Sequence, residues 1–331
     1  MSSLQTDCNY YAGLLSGSEL ALYEKCVDHL TRGKYTVTGD IDEIERAEEI
    51  GNAVATAVII GCPEMFYLDQ NVTIRASGDK ITLVFANKYP EKELVAMKGE
   101  LDREIERICK KIRTYNTAYE KIYRLNQYLC RRVEPIMGAE SKYSDAYAAL
   151  INREARCEGF AKAAKLILDK LGIESVIVNG EAYTDYGTIS HAWNIIVCDG
   201  QTYHFDFTWN AGLTVNRAPG IPYMFLSDAE ISLDHYTRYE FPPCEDASKE
   251  PWNVADGNVR FISDIARAKP IPLGKDYVVP IRFAQPMDSQ EVNSHCIEWA
   301  RNELSPQNIS VQQTAKYLPR LNVLLYYFLN E

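Results

Sequence analysis

The dipeptide Asp199-Gly200 constrains the fold of this 331-residue chain more than any other short feature. It stands between two runs of β-prone residues, Ala192 to Cys198 and Gln201 to Phe207. Asp-Gly favours the two-residue turn whose backbone twist matches that of an antiparallel hairpin. The sequence therefore predicts a β-hairpin in which Cys198 faces Gln201.

The register of this hairpin places a histidine and a carboxylate on the same face of the sheet. Extending the ladder away from the turn sets His191 opposite Thr208 and Trp193 opposite Asp206, so that His191 and Asp206 become diagonal neighbours. Diagonal positions on neighbouring strands lie about 7–8 Å apart at the backbone, within reach of an imidazole and a carboxylate. A shift of one residue would put the two side chains on opposite faces. The pattern thus predicts a pair formed by His191 and Asp206.

A third reactive residue, Cys157, precedes a run with helical character. The run from Glu158 to Leu171 is rich in alanine and leucine and is closed by Gly172, which predicts a helix with Cys157 at its start. Unpaired N–H groups and the positive end of the helix dipole favour the thiolate form of a cysteine in that place, and Arg156 adds positive charge nearby. Gly159 would let the helix start approach another backbone closely.

Thiol, imidazole and carboxylate within one short segment are the groups that a cysteine nucleophile needs. Cys157 would attack a carbonyl carbon, His191 would take and return the proton, and Asp206 would hold the imidazole in one tautomer and stabilise its charged form. The backbone N–H of Cys157 is one candidate oxyanion donor, and Tyr147 and Trp193 are candidates for the second. Each catalytic candidate alone is more often structural, but the combination predicts catalysis.

Three linked motifs surround these residues: Cys157-Glu158-Gly159-Phe160, His191-Ala192-Trp193-Asn194 and Asp206-Phe207-Thr208-Trp209. In order and spacing they resemble the core domain of bacterial members of the transglutaminase-like superfamily, which are cysteine enzymes of papain-like fold. The resemblance covers about Ser144 to Asn210. It implies a helix carrying the cysteine that packs on an antiparallel sheet carrying the histidine and the aspartate. It also implies acyl transfer or amide hydrolysis through a thioester.

The motifs leave the acceptor of the acyl group open. Resolution by water would make the protein a peptidase or amidase, whereas resolution by an amine would make it a crosslinking acyltransferase. The alternative function is a non-catalytic protein-binding module that retains the fold. The predicted substrate is a protein or peptide, and the predicted substrate-binding residues are the aromatic side chains Trp193, Trp209 and Tyr147.

We predict no cofactor and no metal for this site. The competing interpretation is a zinc site built from Cys157, His191, His204 and Asp206, because thiolate, imidazole and carboxylate all bind zinc. No close pair of the Cys-x-x-Cys type accompanies these residues, and the sequence contains no calcium-loop pattern of alternating acidic residues before a glycine.

The elements expected around this core mix helices with antiparallel strands, which predicts an α+β fold. We expect a mainly helical region with a β-hairpin over residues 1–135, the catalytic core over 136–245 and a small accessory α/β module over 246–331. Outside the core, helices are predicted over residues 18–29 and 44–60, and hairpin strands around 72–76 and 81–85 on either side of a turn at Gly78-Asp79. Two long amphipathic helices are predicted within 91–132, with apolar positions at Leu101, Ile105, Ile108, Ile112, Ile122, Leu125 and Leu129. A strand, a helix and a strand are predicted over 276–283, 291–303 and 321–329.

Composition limits the partners and the location. Lys and Arg number 35 against 46 Asp and Glu, and the net charge of −11 opposes binding to nucleic acid. No apolar run approaches the roughly 20 residues that span a bilayer, and no secretory signal pattern is evident. The nine cysteines are scattered without paired spacing, which is typical of reduced proteins. We therefore predict a cytoplasmic protein without nucleic-acid or membrane partners.

Overall fold

The computed structural model describes residues 9–138, 140–215, 219–237, 239–251, 271–273, 276–283, 294, 298, 311–318 and 320–330. These residues combine helices with antiparallel strands, which confirms the predicted α+β class. The helices are α1 Gly17–Thr31, α2 Ala47–Ile59, α3 Glu91–Ile112, α4 Ala118–Arg132, α5 Cys157–Lys170, α6 Phe207–Gly212 and α7 Asp228–Ile231. The strands are β1 Thr36–Asp40, β2 Leu68–Ser77, β3 Lys80–Asn87, β4 Glu134–Pro135, β5 Glu154–Ala155, β6 Ser175–Thr184, β7 Gly187–Cys198, β8 Gln201–Phe205, β9 His235–Thr237, β10 Ile271–Leu273, β11 Asp276–Arg282, β12 Val311–Leu318 and β13 Val323–Asn330.

The chain divides into two compact units, each built from separate stretches of sequence. The first unit comprises Met1–Ile122, Val133–Val178 and Trp193–Val197, and the second comprises Tyr123–Arg132, Asn179–Ala192 and Cys198–Glu331. The predicted segment boundaries at residues 135 and 245 remain predictions.

A three-stranded antiparallel sheet in the order β1-β3-β2 lies in the first unit. It contains the predicted hairpin, in which Ile74 faces Leu83 and Ser77 faces Lys80. Gly78 opens the turn with φ of +60°, a backbone conformation that glycine adopts without steric cost. Strand β1, which pairs with β3, was not among the predicted elements.

The two long amphipathic helices are present as α3 and α4, and their apolar faces are the predicted ones. The residues that define these faces are all buried: Leu101, Ile105, Ile108, Ile112, Ile122, Leu125 and Leu129. Helix α3 contacts α5 through Cys109, whose Sγ lies 3.8 Å from the carbonyl oxygen of Ile167. Helix α4 ends at Arg132, before Pro135.

Helix α5 begins at Cys157, directly after the extended residue Arg156. Its start packs closely on neighbouring backbone, as predicted from Gly159. A Cβ atom on Gly159 would lie 2.8 Å from the carbonyl oxygen of Tyr143 and 3.0 Å from that of Asp145. The helix end is closed by Gly172, with φ of +71°. Glycine at position 159 therefore determines how near the nucleophile-bearing helix lies to this loop.

Replacing Gly159 with alanine is expected to lower the free energy of unfolding by about 1–3 kcal/mol, because a methyl group would overlap backbone oxygens that cannot move alone. Gly99→Ala is the matched control, since Gly99 also lies within a helix but the nearest atom to its Cβ position is the flexible Arg103 Nη1 at 3.3 Å. Alanine should stabilise that helix by up to about 1 kcal/mol. Denaturant unfolding of both variants checks these two expectations, and equal unfolding midpoints for Gly159→Ala and Gly99→Ala would contradict them.

The second sheet has the strand order β8-β7-β6-β9 and contains the hairpin around Asp199-Gly200. Asp199 and Gly200 have φ of +53° and +80°, as the predicted two-residue turn requires. Strand β9 completes the sheet by pairing antiparallel with β6, and Ala182 faces His235 across that pair.

The predicted ladder beyond the turn is wrong at one end, because β8 stops at Phe205. The Asp206 side chain accepts hydrogen bonds from the backbone N–H groups of Thr208 and Trp209, so Asp206 caps helix α6. Thr208 thus lies in a helix rather than opposite His191. The hydrogen bonds of this helix cap outweigh the β-propensity of the Phe205 to Phe207 run.

The described C-terminal residues form a third sheet, antiparallel and ordered β10-β11-β13-β12. Strands β11 and β13 coincide with two of the predicted elements, while β10 and β12 were not predicted. The helix predicted over 291–303 lies outside the described residues, apart from Ser294 and Glu298, which are helical. Within the described part of the chain, no helix combines the length and apolar character needed to cross a bilayer.

Candidate active site

Asp206 is the centre of a buried polar cluster in the second unit. Its side chain is fully buried. Oδ1 accepts the N–H groups of Thr208 and Trp209 at 2.8 and 3.0 Å. Oδ2 lies 2.7 Å from His191 Nε2 and 3.2 Å from His235 Nε2. One carboxylate thus caps a helix with one oxygen and binds two imidazoles with the other.

The predicted contact between His191 and Asp206 is therefore present, although a helix cap rather than the strand ladder positions the carboxylate. His191 lies on β7 and is 3% exposed. When Nε2 donates to a carboxylate, the neutral imidazole carries its lone pair on Nδ1. That tautomer is the one in which Nδ1 acts as a base.

The second histidine of the cluster, His235, was not found by sequence reasoning. It begins β9, outside the three motifs, and its Nδ1 lies 2.6 Å from Asp234 Oδ1. Asp234 in turn accepts a hydrogen bond of 2.7 Å from the Tyr223 hydroxyl. The only sequence signal for His235 was that it directly follows an aspartate, which is weak. Pairing between strands distant in sequence brings it to the site.

Trp209 packs against both imidazoles. Its ring centroid lies 5.4 Å from that of His191 and 4.4 Å from that of His235, and Tyr223 approaches it edge-on at 5.0 Å. Trp209 is half-buried. Trp209 is therefore placed to fix the orientation of both histidine rings.

The electrostatics of the cluster favour an ionised Asp206. Burial alone would raise the pKa of this carboxyl, but its contacts with His191 and His235 outweigh burial and lower the pKa below the ordinary value. Burial and the neighbouring Asp234 raise the pKa of the Tyr223 hydroxyl, so Tyr223 remains a hydrogen-bond donor.

This shift predicts how Asp206 affects stability with pH. An unfolded aspartate titrates near 3.9, so the stabilisation by Asp206 is complete above that pH and is lost as pH falls through the lower pKa of the folded protein. The asparagine side chain of an Asp206→Asn variant cannot titrate. We expect the difference in unfolding free energy between the wild type and Asp206→Asn to shrink by about 1 kcal/mol or more between pH 5 and pH 3. Denaturant unfolding of both proteins at pH 5 and pH 3 measures this change, and a difference in unfolding free energy that is the same at both pH values would refute the prediction.

Cys157 belongs to the first unit, where it is the first residue of α5. Among the seven cysteines that the structure describes, all free thiols, it alone is not buried. Burial raises the pKa of Cys26, Cys130 and Cys198 to about 12. Next to Cys157, the Glu158 carboxylate forms an ion pair of 2.7 Å with Lys162 and contacts Gln70.

The predicted aromatic site residues differ in what they offer. Trp193 is 1% exposed, so its ring presents no surface to a substrate. The hydroxyl of Tyr147 donates to Glu100 at 2.6 Å, and its ring stacks on Phe66. A role of either residue as the second oxyanion donor stays a prediction. The ring of Trp209 contacts that of His191.

Within the second unit, His204 is not grouped with His191 and Asp206 as the competing zinc interpretation requires. His204 binds Asp228 at 2.8 Å rather than joining Asp206. Two sets of described side chains bring three possible ligand atoms within 4.8 Å of one another: His191, Asp206 and His235, and His204, Asp228 and Cys244. In the first set the mutual hydrogen bonds account for the proximity of the groups.

Comparisons with known proteins agree with the three motifs. Residues 106–207 match the family model of the transglutaminase-like superfamily, so the predicted resemblance is confirmed for the segment that contains Cys157, His191 and Asp206. No curated protein sequence matches the chain.

Three solved structures are similar to parts of the chain. A TGase is 14% identical, with a TM-score of 0.31, over 55% of this chain and 52% of its own. A protein provisionally described as a cysteine protease from Cytophaga hutchinsonii is 13% identical, with a TM-score of 0.30, over 42% of this chain and 61% of its own. Menin is 15% identical, with a TM-score of 0.26, over 43% of this chain and 33% of its own. The chain thus spans about half the length of the TGase and less than two thirds of the other two.

Proposed function

We propose that this protein is a cysteine-dependent acyl-transfer enzyme that acts on amides through a thioester. The observation that carries the proposal is the buried pair of His191 and Asp206, within a segment that matches the transglutaminase-like superfamily. Cys157, at a helix start and outside the core, is the proposed nucleophile. A protein or peptide is the proposed substrate.

In the proposed reaction, His191 removes the proton from Cys157 and Sγ attacks the amide carbonyl carbon. The C–N bond breaks, the imidazolium of His191 protonates the leaving amine, and a thioester remains on Cys157. Water or a primary amine, deprotonated by His191, then attacks the thioester and releases the thiol. The backbone N–H of Cys157 is the proposed donor to the oxyanion. Asp206 holds the tautomer of His191 and stabilises its charged form.

The two outcomes of the second step define the finer alternatives. Hydrolysis makes the protein a peptidase or amidase, and aminolysis makes it a transglutaminase-type transferase. We place this chemistry in the cytoplasm, because the described cysteines are free thiols and a nucleophilic thiol persists in a reducing compartment.

Incubating the protein with casein, with and without a fluorescent primary amine, separates hydrolysis from aminolysis. Amine incorporation indicates transfer, and new peptide or free-ammonia products alone indicate hydrolysis.

Selective alkylation tests the nucleophile without knowledge of the substrate. We expect iodoacetamide at pH 7 to modify Cys157 at least about ten times faster than glutathione, because a cysteine that serves as the proposed nucleophile must be more reactive than a free thiol. Mass spectrometry of peptides from timed reactions gives the rate for each cysteine.

Comparison with glutathione separates activation from simple exposure, since an exposed but ordinary thiol would react no faster than glutathione. A Cys157 rate at or below that of glutathione would favour the non-catalytic binding module. The buried cysteines provide the internal reference for an intact fold, because they become reactive only on unfolding.

A further inference from the structure

His235 binds the same carboxylate oxygen as His191, and both of its ring nitrogens face carboxylates. Nε2 lies 3.2 Å from Asp206 Oδ2 and Nδ1 lies 2.6 Å from Asp234 Oδ1. The His235 side chain is completely buried, as is that of Asp206. Buried polar groups are nearly always hydrogen-bonded, and these two carboxylates supply a partner for each His235 nitrogen.

Both carboxylates are hydrogen-bond partners of the His235 ring. An ionised carboxylate oxygen only accepts, so a His235 nitrogen that carries a hydrogen donates to the carboxylate it faces. The Tyr223 hydroxyl donates to the second oxygen of Asp234 at 2.7 Å. The order of contacts is thus Tyr223, Asp234, His235, Asp206 and His191, which we call the His235 relay.

Trp209 packs against the His235 ring. Its ring centroid lies 4.4 Å from that of His235, and the two planes are tilted by 56°. The same indole lies 5.4 Å from the His191 ring. The two imidazoles, 5.3 Å apart, are therefore held by one carboxylate and one indole.

We propose that His235 is a positioning residue that fixes Asp206, and through it His191, for the acyl transfer proposed above; the inference rests on that function. The Thr208 and Trp209 N–H groups hold only Oδ1 of Asp206. Without His235, Oδ2 would depend on His191 alone for its alignment. Two fixed contacts on Oδ2 keep the carboxylate in the plane in which His191 presents Nδ1 as the base.

The test compares the rate of Cys157 alkylation and the kcat for amide turnover in the wild type and in His235→Gln. Groups that orient the ligands of a metal typically contribute about 10–100-fold to activity, and we take the same range for a group that orients a catalytic carboxylate. We expect both rates to fall 10–100-fold in His235→Gln, with KM changed less than about threefold. Tyr223→Phe keeps the ring but removes the hydrogen bond to Asp234, and we expect a smaller loss in the same direction.

The matched control is His204→Gln, because His204 is also a buried histidine of the second unit bound to an aspartate, Asp228, but it lies outside the relay. It should leave both rates unchanged within about twofold. A double-mutant cycle separates positioning through Asp206 from a general effect on the fold. If His235 acts through Asp206, His235→Gln should have no further effect on the alkylation rate in an Asp206→Asn background.

Three results would overturn the inference. If Asp206→Asn slows alkylation while folded His235→Gln does not, the proposed function stands and the positioning role of His235 is excluded. If neither substitution slows alkylation, the proposed function fails together with the inference. If the purified protein holds one zinc per chain and His235→Gln loses it, the three side chains are metal ligands instead.

Discussion

Replacing Cys157 with alanine is expected to reduce both hydrolysis and amine incorporation at least about 10⁴-fold. The reason is that the variant lacks the thiol proposed to form the thioester, and each of the other cysteines that the structure describes is buried. Cys157→Ser should lose nearly as much activity, because a serine hydroxyl ionises far less readily than a thiol and is a much weaker nucleophile near pH 7. The free energy of unfolding should change by less than about 1 kcal/mol in both variants, since the side chain is only partly buried.

Replacing the buried Cys26 should have the opposite effects, a loss of stability with little loss of activity. Cys26 lies on α1, is fully buried, and has its pKa raised to about 12 by burial. Cys26→Ala should lower stability by about 1 kcal/mol and leave turnover within about threefold of the wild type. Parallel activity and unfolding measurements on the two variants thus separate chemistry from packing. More than about 1% residual turnover in Cys157→Ala would exclude Cys157 as the nucleophile.

The parts of the fold that follow from local chemistry could be predicted from the sequence. The Asp199-Gly200 turn has the backbone that this dipeptide prefers, and β2 and β3 form the hairpin that was predicted there. The amphipathic spacing on α3 predicted which residues are buried. In each case the residues that decide the structure lie within a few positions of one another, so the pattern is complete in the local sequence.

The parts that could not be predicted depend on competition or on distant pairing. The Phe205 to Phe207 run has β-propensity, but the Asp206 side chain satisfies two backbone N–H groups and starts a helix there. His235 reaches Asp206 because β9 pairs with β6, with His235 opposite Ala182, residues far apart in the chain. No periodicity within either strand specifies that partner. The contact between His191 and Asp206 was therefore predicted correctly from a ladder that is only partly formed.

Replacing Asp206 with asparagine is expected to reduce kcat about 10⁴-fold while KM changes little. Asparagine is a good helix N-cap, so its side-chain oxygen can keep the bonds to Thr208 and Trp209, and α6 should persist. The amide nitrogen would then face His191 Nε2. An N–H donor in that place favours the tautomer with the proton on Nδ1, and a protonated Nδ1 cannot accept the proton of a nucleophile.

Asp228→Asn is the matched control, because Asp228 also binds a buried histidine, His204, through a carboxylate oxygen at 2.8 Å. It should keep kcat within about threefold of the wild type, whereas Asp206→Asn should not. Measuring kcat, KM and the Cys157 alkylation rate in both variants distinguishes a carboxylate that orients a base from one that only stabilises the fold. A kcat within tenfold of the wild type in Asp206→Asn would mean that Asp206 acts as a helix cap alone, and that the buried pair does not serve catalysis.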